Sequence, residues 1–119
     1  MTVIDETRKF DWGGEVFEGR FKEGLLEAID DGLLVLGEIA RQALYSHIER
    51  QYQVKRDEIP NRLEVLHETL ESVFGAASTR VIERLIVKTL CSRIGSEFIE
   101  HENWTLLEYV EDLSKRLGL

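Results

Sequence analysis

The sequence predicts an all-α protein, a compact bundle of four to five helices around a central apolar helix at about residues 78–94, preceded by an irregular N-terminal arm. Two observations predict it. From Gly32 to Ile94, three apolar patterns at helical spacing follow one another, separated by Ile59-Pro60-Asn61 and by Gly75-Ala76-Ala77. The third pattern is apolar on nearly every side, the mark of a helix surrounded by others. The 119 residues, 43% of them hydrophobic, suit one domain with a core of its own.

Residues 1–23 are the least regular part: Gly13-Gly14 and Gly19 interrupt the aromatics Phe10, Trp12, Phe17 and Phe21. They read as an arm or a short hairpin about the glycine pair, with the helical domain at 24–119. An isolated hairpin is marginal in water, which favours the arm. The first helix is expected from Gly24 or Asp31 to Tyr52, with Ile29, Leu33, Leu36, Ala40, Ala43 and His47 on one face. Leu34, Ile39, Leu44 and Ile48 widen that stripe. Asp30-Asp31-Gly32 is the expected place for a break, and Gly37 is expected inside the helix as a point of close approach.

After a linker from Gln53 to Pro60, Asn61 reads as the N-cap of a second helix, with Glu64 three positions on. Leu63, Leu66, Leu70, Val73 and Phe74 form its apolar stripe, and Gly75 stops it. The third helix runs from about Ser78 to Gly95 and carries Val81, Ile82, Leu85, Ile86, Val87, Leu90, Cys91 and Ile94. Phe98, Ile99 and Trp104 are expected as packing anchors in the next connection. Thr105-Leu106-Leu107-Glu108 is a capping box that opens the last helix, with Leu106, Val110, Leu113 and Leu117 on one face. Lys115-Arg116 complement its dipole, and Gly118 ends it.

A formal charge of −8 opposes nonspecific attraction to nucleic acid or anionic lipid. The longest apolar runs fall far short of the roughly 20 residues that cross a bilayer, so no membrane association is expected. The N-terminus has neither the basic nor the apolar region of a secretory signal, and a cytoplasmic location is expected. Cys91 stands alone among apolar neighbours and reads as a small buried hydrophobe.

No catalytic, cofactor or metal signature emerges, so the expectation is a non-enzyme without cofactor or metal. His47, His67 and His101 lie in different elements, and none pairs with another at metal-ligand spacing. His67 and Glu71 share a helix face, but two such residues do not define a metal site. His47 lies on the core-facing stripe and reads as a buried, hydrogen-bonded histidine. Glu64, Glu68 and Glu71 read as a solvated face. Arg80, Arg84 and Lys88, at i, i+4 and i+8, make a basic ridge. With Gly75 between two helices, the ridge opens an alternative reading as a helix-turn-helix DNA-binding regulator. Glu71 opposes that reading, since a small residue normally stands four places before the turn glycine. The ridge is otherwise expected to pair with the acidic residues between Ser96 and Asp112.

The segments Ile29-Asp30-Asp31-Gly32-Leu33, Leu36-Gly37-Glu38, Ala43-Leu44-Tyr45-Ser46-His47-Ile48-Glu49 and Lys55-Arg56-Asp57-Glu58-Ile59-Pro60 carry a resemblance. With Phe74-Gly75 and Val81-Ile82-Glu83-Arg84-Leu85-Ile86-Val87-Lys88, they resemble the Nitrosopumilus-type output domains, small helical modules of archaeal signalling proteins. The resemblance spans roughly Ile29 to Ile94 and implies a protein-interaction or output role, with no catalytic residues to transfer. The interaction surface is expected on the exposed part of the first helix around Gly37, Arg41 and Tyr45. A surplus apolar stripe on a small helical domain points to a homodimer.

Overall fold

In the computed structural model, residues 19–119 are described. The Gly13-Gly14 hairpin or arm, with Phe10, Trp12 and Phe17, lies outside the described residues. Among those described, 81% are helical and no strand occurs, so the protein is all-α. Helix α1 spans 19–33, and a 3₁₀ turn, Leu34–Leu36, leads through Gly37 into α2, Glu38–Tyr52. A second 3₁₀ segment, Arg56–Asn61, precedes α3, Leu63–Ile94, which is broken at Gly75 into two arms. Helix α4 is Leu106–Arg116.

Helix α1 buries Phe21, Leu25, Ala28, Ile29 and Leu33, a spacing that keeps one stripe against the core. Gly24 and Gly32 lie on its contact with α3. A β-carbon at 24 would sit 3.8 Å from Leu90 Cδ1, while one at 32 would collide with Ile86. As positions rise along α1 they fall along α3, so the two pack antiparallel. The boundary drawn at residue 23 falls inside this helix, since 19–23 are its opening turns and Phe21 is in the core.

The break between the first two helices is at Gly37, not at Asp30-Asp31-Gly32. Gly37 has φ 96° and ψ 154°, a conformation essentially confined to glycine. It is exposed, with nothing within 4 Å of where a β-carbon would be, so it provides a corner rather than a close approach. The corner also moves the helical phase by about one residue. Leu44, Tyr45 and Ile48 become the buried face of α2, while Ala43 and His47 are exposed. The buried-histidine reading of His47 is thereby overturned.

At the start of α3, Arg62 rather than Asn61 holds the N-cap position, without a side-chain cap bond. The 3₁₀ segment before it is closed instead by Glu58, whose Oε1 accepts from Lys55 N at 2.9 Å. Leu63, Val65, Leu66, Thr69 and Leu70 are buried on the first arm, whereas Val73 is exposed. Gly75 (φ 84°, ψ 168°) then turns the chain back. His67 Nδ1 and Glu83 Oε2, 16 positions apart, meet at 2.8 Å. A straight helix would hold them about 24 Å apart along its axis. The two arms therefore form a helical hairpin.

The second arm is central: it touches α1 through Ile86 and Leu90, the first arm through Glu83, and α4 through Leu106. Ile82, Ile86, Val87, Leu90 and Cys91 are buried along it, and each large aliphatic among them contributes roughly 1.5–3 kcal/mol. Its circumference is not wholly covered, since Val81 is exposed. Helix α4 begins at the expected box: Thr105 Oγ1 accepts from Glu108 N at 3.4 Å, and Glu108 Oε1 accepts from Thr105 N at 3.0 Å. It buries Leu106, Tyr109, Val110 and Leu113, with Phe98 and Trp104 packed against that core and Ile99 left exposed.

Candidate protein-interaction surface

The corner at Gly37 brings large apolar side chains to the surface. Leu34 is 47% exposed, Val35 63% and Ile39 87%, all within six residues. Leu33 turns inward at the end of α1, so the following 3₁₀ residues are left facing out. Leu34 and Ile39 were hidden in the sequence because they fit a widened stripe on one continuous helix. The signal that could have found them is the run Leu33-Leu34-Val35-Leu36 placed directly before a glycine.

Behind the corner, polar groups tie α1, α2 and the 3₁₀ segment together. Tyr45 Oη donates to Asp30 Oδ1 at 2.5 Å, and Arg56 makes an ion pair with the same carboxylate, Nε standing 3.1 Å from Oδ1. Arg41 reaches the Asp30 carbonyl at 3.3 Å and Glu38 Oε2 at 2.6 Å. Burial pushes the Asp30 carboxyl up, but the Arg56 and Tyr45 hydrogen bonds outweigh it and hold the group below the usual carboxylate range. Burial, and then the Asp30 bond, push the Tyr45 phenol well up, so it remains a neutral donor.

Of the three residues expected on the surface here, Gly37 is exposed, Arg41 is partly covered, and Tyr45 is only 7% exposed. Tyr45 is a brace for the corner rather than part of its outer face. The phase shift at Gly37 accounts for the difference.

The basic ridge is divided among separate tasks. Arg84 lies 3.6 Å from Glu100, a pairing with the acidic stretch as expected. The Lys88 ammonium stands 5.5 Å from the centre of the Phe98 ring, within cation–π range. Arg80 is exposed and forms no ion pair among the described residues. It lines a small cleft of about 80 Å³ with His67, Glu71, Thr79, Glu83 and Trp104.

In that cleft, Glu83 is buried, 2% exposed as a residue, and its carboxylate accepts from Leu106 N at 3.2 Å as well as facing His67. The other ring nitrogen of His67 lies 3.5 Å from Glu71. Among the described residues, no group of three or more metal-ligating side chains converges. Cys91 is buried, with Sγ 3.8 Å from the Glu97 carbonyl, and burial pushes its thiol up. That environment opposes thiolate chemistry.

Among the described residues, no helix is long and apolar enough to cross a membrane. No family model, curated protein or solved structure matches this chain.

Proposed function

We propose that the chain is a non-enzymatic helical interaction module, an output domain in archaeal signal transduction, that self-associates through the corner at Gly37. The observation that carries this reading is the exposure of Leu34, Val35 and Ile39 on a corner braced from behind by Asp30, Tyr45 and Arg56. Clustered apolar side chains rimmed by polar ones mark protein-contact surfaces, and a braced corner loses little conformational freedom on docking.

A second copy is the favoured occupant because the rim is self-complementary. Glu38 and Arg41 stand side by side at 2.6 Å within each corner. A two-fold contact can set Glu38 of one copy against Arg41 of the other while the apolar residues meet between them. The charge of −8 on each copy works against association, so self-association should strengthen as salt screens it.

Light scattering over a concentration and salt series tests the reading. The expected result is a dimer favoured by salt and converted to monomer by Ile39→Glu, with helical content unchanged. A monomer at every concentration and salt, or a dimer indifferent to Ile39→Glu, would refute it. An isolated corner that instead captures a different protein would retain the surface and replace its occupant.

A further inference from the structure

Glu83 is the meeting point of three chain segments. Its Oε2 faces His67 on the first arm of α3 at 2.8 Å, and its Oε1 accepts the Leu106 amide at the first turn of α4 at 3.2 Å. The carboxylate itself belongs to the second arm, eight residues past the bend at Gly75 just as His67 is eight before it. A single nearly inaccessible carboxylate thus closes the hairpin and docks the next helix on it.

We propose that Glu83 makes the bend at Gly75 sensitive to pH: the arms of α3 and the start of α4 close around the neutral acid and loosen as it ionises. Burying a carboxylate charge is costly unless its partners fully compensate. Here they do not. Burial drives the Glu83 carboxyl upward, and the opposing pull of His67 and of the Leu106 amide leaves it raised.

The surrounding charges fit that outcome. From the first arm, Glu71 adds a like charge beside His67. From the second arm, Arg80 lines the cleft but is exposed to solvent. From α4, Glu108 is a further acid, engaged with Thr105 N at 3.0 Å, and brings no positive charge to the site. Thr79, buried with its hydroxyl lacking a protein partner, lines the same cleft. A cleft of about 80 Å³ is large enough for water to reach the carboxylate as the arms part.

The direction follows from linkage. In an opened form, Glu83 meets water and titrates near the ordinary value of about 4.3. In the closed form it titrates higher, so the closed form binds a proton more readily. Its advantage is complete below the ordinary value and is lost as pH rises through the closed-form value.

Spin labels at Glu68→Cys and Val81→Cys, in a Cys91→Ala background, report the separation of the arms. The expected result is a narrow short-distance population in mild acid that broadens toward longer distances at neutral pH. Glu83→Gln, which keeps the shape without the charge, should stay narrow throughout and melt higher than the natural residue by a margin that grows with pH. His67→Gln, which removes a group that pulls the carboxyl down, should deepen the loosening and carry it on to higher pH. A distance distribution unchanged across that range in the natural residue set overturns the proposal, and so does a Glu83→Gln chain with the same pH response.

Discussion

Gly32 of α1 lies against Ile86 of α3 so closely that a β-carbon on the glycine would collide with the isoleucine side chain. The same β-carbon would stand 3.4 Å from the Ile86 Cα, so the backbone of the partner helix bounds the space as well. The hydrogen in place of a side chain therefore sets how near the two helices approach.

Gly32→Ala should destabilise the fold even though alanine is the better helix former. The propensity gain is at most about 1 kcal/mol, while forcing atoms into a packed contact costs about 1–3 kcal/mol. A lower denaturation midpoint checks this. In an Ile86→Ala background, which lacks the colliding Cγ1, Gly32→Ala should cost less than it does in the natural chain; a midpoint raised by Gly32→Ala alone would contradict the close packing.

Asp30 should contribute stability that vanishes in acid. Its carboxyl is held below the usual range, so the contribution is present above the unfolded value near about 3.9. It is lost as pH falls through the lower folded value. Asp30→Asn should therefore lower the melting temperature at neutral pH and flatten its decline at acid pH. Parallel melting curves for the two chains across the acid range would count against the role given to Arg56 and Tyr45.

Gly75→Ala should cost about 1–3 kcal/mol, because φ 84° with ψ 168° is strained for any residue bearing an L side chain. There is open space around the position, so backbone strain rather than collision is the cause. Serine should cost as much as alanine in a denaturant titration. A loss that instead scaled with side-chain size would point to crowding.

Thr105→Ala should weaken the start of α4 by about 0.5–2 kcal/mol through loss of the cap. Amide exchange should speed up at Glu108, whose N–H the hydroxyl accepts. Little change there would mean that Glu83, which holds the neighbouring Leu106 amide, already dominates this helix end.

The parts of the fold legible in the sequence were those governed by local chemistry. The Thr105–Glu108 box and the interruption at Gly75 need only neighbouring residues to be understood. The phase of α2 was not legible, because a periodicity counted through Gly37 cannot register the rotation that its positive φ introduces. That single residue moved His47 outward and Tyr45 inward. Gly32 and Gly37 also exchanged expected roles: both look alike in a sequence, and only the neighbouring helix distinguishes a close approach from a corner. The links of Asp30 to Arg56 and of His67 to Glu83 were hidden for a different reason. Each joins segments whose relative placement depends on how the bends fold, and the charges involved read locally as ordinary surface residues.

The backbone angles at Gly37 and Gly75 have a stereochemical consequence. Reflected through a mirror, the pair at Gly75 comes to lie just beside the extended region that ordinary residues prefer, and the pair at Gly37 at its outer edge. A D-amino acid at either position would thus be less strained than its L counterpart. D-alanine, introduced by chemical synthesis, would also narrow the freedom of the unfolded chain relative to glycine. The two corners that resist natural substitution are thereby the places where a residue of the opposite hand would strengthen the protein.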